Sequence, residues 1–218
     1  MRDSRRRIVL SASALLAAFV QLLPAGHAVP PQAPLPQLLR SRVKDLAAGK
    51  LLVAARNLPD PNFSETVILL AEYGDRGAMG LIINRQTATP MSRVFQDLTG
   101  AKERSDAVYF GGPVAPTGAI ALLRSATVTK GRRVMADVQM INTREELEAM
   151  IAARAEPNVF RVYLGYSGWG PGQLDMETGH GAWHVFPGNA DLVFDSDPDS
   201  VWPRQIRWTD RLMARAPL

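Results

Sequence analysis

From residue 41 onward, apolar residues fall in runs of four to six, separated by glycine, proline and polar clusters. Leu51-Leu52-Val53-Ala54-Ala55, Thr66–Ala71 and Met79–Asn84 have the length of strands, too short for core helices. Their near-continuous apolar character predicts cover on both faces, by helices or a second layer. Tyr73-Gly74-Asp75-Arg76-Gly77 between the second and third predicts a hairpin turn. Further strands are expected at Ala107–Phe110 and Gly118–Leu123, around a Gly111-Gly112-Pro113 turn, and at Val159–Gly165. Ala182–Phe186 and Asp191–Phe194 read as another hairpin.

Helical signals alternate with these strands. Thr89-Pro90 reads as an N-cap followed by proline at the first helical position, with the helix running to Leu98 and Gly100 stopping it. Thr143-Arg144-Glu145-Glu146 is a capping box, and Leu147, Met150 and Ile151 behind it form one apolar stripe. An amphipathic helix is expected from about Ser200, with Trp202 and Trp208 as packing residues. Strands interleave with helices, yet several strand pairs are hairpins. The expected class is therefore α+β, a single domain, rather than a doubly wound parallel sheet.

The first 40 residues follow a different pattern. A basic start, Met1-Arg2-Asp3-Ser4-Arg5-Arg6-Arg7, leads into an apolar run from Ile8 to Leu23, and small residues stand at Gly26 and Ala28. This is the order of an export signal cut after Ala28. The run is shorter than the ~20 residues of a membrane span, so an uncleaved inner-membrane anchor is the alternative reading. Ser4–Leu10 also resembles a twin-arginine signal, although arginine-rich starts occur in ordinary secretory signals too. Residues 29–40, with four prolines, read as an extended spacer, so the domain is expected over 41–218. The expected location is the periplasm or the exterior, with membrane contact only through the leader.

This leader changes the meaning of the charge. The chain of 218 residues has a formal net charge of +4 and a pI near 9.8. Arg2, Arg5, Arg6 and Arg7 against Asp3 give the first 28 residues +3 of that charge, leaving +1 for the remainder. Nucleic acid is thus not an expected partner. The chain has no cysteine, which excludes disulfides, thiolate nucleophiles and cysteine-ligated metal.

Catalytic and metal constellations are sparse. Ser64, Ser167 and Ser196 lack the Gly-x-Ser-x-Gly elbow, and His180 and His184 are the histidines beyond the leader. Glu177, His180 and His184 invite a metal reading, but Gly179 and Gly181 break the rigid spacing a site needs, and an exposed hairpin is the expected alternative. Asp195-Ser196-Asp197-Pro198-Asp199 begins like a calcium loop, yet Ser200 and Ile206 stand where glycine and glutamate are required. N-capping of the last helix accounts for these acids. No phosphate-cradling glycine motif is present, and no cofactor is called for.

Two segments are more particular. One is Asp60-Pro61-Asn62-Phe63-Ser64-Glu65-Thr66-Val67 with Gly77–Arg85; the other is Gly165-Tyr166-Ser167-Gly168-Trp169-Gly170-Pro171-Gly172-Gln173-Leu174. With Tyr109–Val114 between them, their order and spacing resemble the bacterial YqgE/AlgH family over about residues 41–212. The resemblance implies an α+β fold whose largely antiparallel, mixed sheet curls into a pseudo-barrel flanked by helices. It implies no established reaction; members are described as uncharacterised or as transcriptional regulators, and typical ones look cytoplasmic. Tyr73 and Arg124 stand where the family commonly has histidine, Gln86 where it has proline, and Ser167 where it has alanine.

Asp60 and Asn62 suit a turn that satisfies nearby backbone N–H groups, with Phe63 plugging the core; a ligand loop is the alternative. The glycines around Trp169 let the backbone approach a partner, and Pro171 suits the start of a short helix. Asp60, Asn62, Asn84, Gly111, Gly112, Trp169 and Gln173 are thus the candidates to line one groove for a peptide, small molecule or protein. The expected function is a non-enzymatic regulatory or binding protein. The alternatives are a hydrolase-like enzyme with an unrecognised site, or a transcriptional regulator should the leader not operate.

Overall fold

The structure is a computed structural model in which residues 45–127 and 131–215 are described. The leader 1–28 and the spacer 29–40 lie outside the described residues. The described residues form ten strands and five helices, in the order β1 (Leu51–Ala54), β2 (Val67–Gly74), β3 (Gly77–Ile82), β4 (Gln86–Pro90), α1 (Met91–Val94), β5 (Ala107–Phe110), β6 (Val114–Arg124), β7 (Arg132–Met135), β8 (Val138–Ile141), α2 (Arg144–Ala152), β9 (Phe160–Trp169), α3 (Gln173–Gly179), β10 (Trp183–Phe186), α4 (Ala190–Val193) and α5 (Val201–Arg215). The fold is α+β, a single domain built on one largely antiparallel sheet.

Strand order along the sheet is β10-β1-β2-β3-β9-β6-β8-β7. β9 is the joint. One edge pairs with β6 from Phe160 to Tyr166, while the other pairs first with β5, in parallel, and then with β3. The expected strands around Gly111-Gly112-Pro113 therefore form but do not pair with each other. They flank β9 on opposite sides.

Burial follows the sequence pattern. Leu51, Leu52, Val53 and Ala54 are all fully buried, as are Val67 to Leu70, in one core with Tyr163 and Trp169 of β9, Trp183 of β10 and Val201, Trp202 and Ile206 of α5. A second core, around Phe160, Val162, Val108, Ile141, Leu147 and Ile151, lies under α2. Alternation along β9 serves both: Phe160 and Val162 enter the second core, Tyr163 and Trp169 the first. Each such large side chain removed from water contributes roughly 1.5–3 kcal/mol.

The terminal strands β7 and β10 do not pair with each other among the described residues, so the sheet is not closed. It nevertheless curls far enough for β7 to reach β2 through side chains. Arg132 pairs with Glu72 at 2.7 Å and donates to Ala71 O at 3.3 Å. Gly49 makes the approach possible: its φ is +84°, and a Cβ there would lie 2.8 Å from Val134 O.

Several expectations are corrected. Thr89 and Pro90 belong to β4, and the helix after them is the single turn α1, with Pro90 rather than Thr89 at its N-cap. Thr89 N–H is taken by Thr87 Oγ1 at 3.1 Å, and Pro90 stands opposite Ala107 of β5. Ladder pairing has overridden a local helix signal. Asp191–Phe194 is not a strand: Asn189 Oδ1 accepts Asp191 N–H at 2.8 Å and starts α4. β10 pairs instead with β1. The last helix does not use an acidic side-chain cap either. Asp195 accepts Asp197 N–H and pairs with Arg204 of α5, while Asp197 makes no side-chain cap bond.

Candidate functional site

Trp169 ends β9 and Trp183 begins β10, and the loop from Asp60 carries Phe63 between them. Phe63 stacks on Trp169 at 6.1 Å between centroids and meets Trp183 edge-on at 5.9 Å; the two indoles are themselves edge-on at 6.0 Å. Their polar ends converge on one carboxylate. Glu177 Oε2 accepts the indole N–H of Trp169 at 2.9 Å and of Trp183 at 2.8 Å, and Oε1 accepts Gln173 Nε2 at 2.9 Å. Gln173 Oε1 in turn accepts Gly170 N–H at 3.1 Å. The glycine-rich turn can fold back this tightly because Gly172 adopts φ +70° at the start of α3.

Five of the seven sequence candidates belong to this assembly. Trp169 and Gln173 are in it. Asp60 shapes the turn behind Phe63: its carboxylate accepts Asn62 N–H at 2.8 Å and its carbonyl takes the N–H of both Phe63 and Ser64. Asn84 is buried and clamps the end of the same loop. Its Oδ1 accepts Val67 N–H at 2.7 Å and its Nδ2 donates to Glu65 O at 3.0 Å, holding Glu65 at φ +57°. Gly111 and Gly112 make other contacts. A Cβ on Gly111 would fall 2.3 Å from Gly165 O, and one on Gly112 would fall 2.3 Å from the Tyr166 carbonyl carbon; both pack on the backbone of β9.

Arg85 is a residue that motif reasoning passed over. Its guanidinium donates to Asn62 O at 2.6 Å, Ser64 O at 3.0 Å and Pro61 O at 3.2 Å, so one side chain fastens the whole loop. Burial lowers its pKa, with Asp60 and Glu65 acting in the opposite sense.

The expected exposed hairpin around Glu177, His180 and His184 is replaced by a helix, its cap and a strand pair at the end of the sheet. Glu177 lies on α3, His180 caps that helix with Nδ1 2.7 Å from Met176 O, and His184 stands opposite Val53. Among the described residues no group of three histidine, aspartate or glutamate side chains is placed to hold a metal ion.

On the other side of Trp183 a cleft of about 630 Å³ opens between β10 and α5. One wall is Trp183, His184, Val185 and Phe186; the other is Ile206, Thr209 and Asp210. Asp45, Arg56, Asn57 and His180 also line it. Arg56 pairs with Asp210 at 2.7 Å and lies 5.9 Å over the Trp202 ring. Trp208, half exposed, stacks on Phe186 at 5.8 Å. Sequence reasoning offered no signal for this cleft, since its walls meet only through the pairing of β10 with β1.

The AlgH-like family model matches residues 51–211, most of the chain. The chain belongs to the AlgH-like family. This AlgH-like chain is 36% identical over 173 residues to a protein of Anaeromyxobacter sp. strain K, with 74% of the chain and 87% of that relative covered. It is 32% identical over 167 residues to a protein of Chlorobium luteolum, with 75% and 86% covered. Both carry only the designation of an uncharacterised protein family. The solution structure of AlgH from Pseudomonas aeruginosa superposes with a TM-score of 0.61 at 27% identity, covering 86% of the chain and all of AlgH. A crystal structure from Corynebacterium diphtheriae, at 23% identity and TM-score 0.61, shares the fold over 79% of the chain and 88% of its own.

Three of the four positions where this AlgH-like chain departs from the expected family residues have local partners. Tyr73 donates its hydroxyl to Asp175 at 2.7 Å, tying β2 to α3; burial and that carboxylate push its pKa up to about 12. Arg124 pairs with Asp191 at 2.7 Å and Asp137 at 3.7 Å. Ser167 donates to Gly111 O at 3.2 Å. Gln86 stands opposite Tyr109 in the β4–β5 pair.

Proposed function

We propose that this AlgH-like chain is an exported, non-enzymatic binding protein whose ligand seats in the cleft between β10 and α5. The carrying observation is the contrast between the motif residues and the cleft. Trp169, Asn84 and Gln173 make hydrogen bonds within the fold, whereas the cleft brings apolar wall residues together with polar and charged side chains of both signs. A concave site of several hundred Å³ with a few polar groups is the usual form of a ligand site. The motif therefore serves to place Trp183, and through it β10, at the cleft wall. Export rests on the leader composition alone: a basic start, an apolar run and small residues before Val29.

Two measurements test this reading. Asn57→Trp places a large ring at the exposed mouth of the cleft and should abolish rescue of a deletion strain while the thermal midpoint stays unchanged; full rescue would overturn the cleft as the site. Fractionation with N-terminal sequencing should find the chain outside the cytoplasm starting at Val29. A cytoplasmic chain starting at Met1 would overturn export and return the regulator reading. Turnover of a substrate panel, abolished by a single change in the cleft, would overturn the non-enzymatic part.

A further inference from the structure

Among the described residues β10 pairs with β1 alone. At the start of that pairing Ala55 N–H donates to Ala182 O at 2.9 Å. Antiparallel alternation then makes His184 and Phe186, opposite Val53 and Leu51, the residues that exchange hydrogen bonds with β1. The N–H and C=O groups of Trp183 and Val185 consequently point the other way, off the sheet. Successive side chains of a strand alternate faces, so a wall that touches Trp183, His184, Val185 and Phe186 in turn runs along the edge of the strand rather than over one face. The cleft is thus a slot with an unpaired main-chain edge on one side and α5 on the other.

We propose that the occupant of this slot is an extended segment of a partner polypeptide that carries a basic side chain, added to β10 as a further strand beneath α5. The inference rests on the cleft being the binding site. A peptide strand is the ligand whose repeating N–H and C=O groups match those of Trp183 and Val185. The lining sets two carboxylates, Asp45 and Asp210, against one guanidinium, Arg56, and the latter is already paired with Asp210. Asp45 is left to meet an incoming ammonium or guanidinium group. Ile206 and Phe186 supply apolar contact for the stem of such a side chain. A space of about 630 Å³ takes a few residues of one strand and has no room for a second sheet, so pairing of two copies through β10 is disfavoured.

The test begins by selecting linear peptides from a phage-displayed random library on the full chain, followed by calorimetry with the synthetic selected peptide. Strand addition predicts that N-methylation weakens binding about tenfold at every second peptide residue and little between them, since only alternate N–H groups face β10. Val185→Pro, which deletes an outward N–H on an edge strand that tolerates proline, should weaken binding by a similar factor, while Val185→Ala should not. Asp45→Asn should weaken the lysine-bearing peptide but not its norleucine analogue. Uniform sensitivity to N-methylation in the unaltered protein overturns strand addition and leaves the cleft as a side-chain pocket. Binding that Asn57→Trp does not disturb overturns the cleft reading itself. Selection that yields no peptide overturns the inference and leaves the cleft to small molecules.

Discussion

Trp169 and Trp183 share a single acceptor atom: both indole N–H groups donate to Glu177 Oε2, at 2.9 and 2.8 Å. The rings come from different strands, β9 and β10, and both are buried. One carboxylate on α3 therefore ties two parts of the sheet to the helix between them.

Glu177→Ala leaves two buried indole donors without this acceptor. The expected cost is about 2–6 kcal/mol, at 1–3 kcal/mol for each orphaned group. Glu177→Gln keeps one carbonyl oxygen and should cost less. Urea unfolding followed by tryptophan emission measures both, and equal stability of the alanine variant and the native chain would remove the shared acceptor from the account.

Asn84→Ala should destabilise by about 1–3 kcal/mol, because Val67 N–H loses its partner inside the core. It also releases Glu65 from its left-handed conformation. Hydrogen exchange should therefore rise throughout residues 60–66 and stay unchanged in α2. Exchange confined to Val67 would show that Asn84 does not hold the loop.

Arg154→Gly should stabilise. α2 ends in a Schellman motif, with Ala155 N–H on Met150 O at 3.3 Å and Arg154 N–H on Ile151 O at 3.1 Å. Arg154 stands at φ +53°, a position that costs a non-glycine residue roughly 1 kcal/mol. Its ion pair with Glu103 is almost fully exposed and offsets little of that. The thermal midpoint of the variant should rise by a few degrees; a fall would show that the exposed pair outweighs the backbone term.

Acid should loosen the junction before α5. Burial acts to raise the pKa of Asp195, but the Arg204 guanidinium, the Asp197 N–H and the charge of Arg161 outweigh it and hold the carboxyl below its ordinary 3.8. A depressed folded pKa means the contribution is fully present above the unfolded value and is lost as pH falls through the folded one. The thermal midpoint of the native chain should thus drop below about pH 4 more steeply than that of Asp195→Asn. Parallel curves for the two proteins would contradict the assignment.

What was legible in the sequence is what local chemistry decides. β1, β2 and β3 announce themselves because both faces are buried, and Asp75-Arg76 between Gly74 and Gly77 sets their hairpin. Thr143 does cap α2, its hydroxyl meeting Glu146 N–H at 3.4 Å. Asp60 and Asn62 behave as turn residues with Phe63 packed behind them. The failures occur where distant pairing decides. β4 exists because β5 pairs with it, not because Gln86–Pro90 looks like a strand. Asp191–Phe194 holds three apolar residues in a row, a run too short for periodicity alone to assign, although Asn189 precedes it as a cap. β7 gives no strand signal because Arg132-Arg133 lacks alternation, and β8 is four residues long. Nothing in the spacing joins Glu177 to Trp183, and the cleft required the register of β10 on β1.

The place of β9 in the sheet sets a timetable for the newborn chain. β3, β5 and β6 all await a strand that ends at Trp169, and β1 awaits a partner that ends at Phe186. A ribosome that has released three quarters of the polypeptide has therefore released no completed sheet, only two- and three-stranded pieces with bare edges. Under the export proposed above, machinery that threads unfolded chains would meet a state that the topology prolongs, whereas a route that demands a finished fold would wait for nearly the last helix.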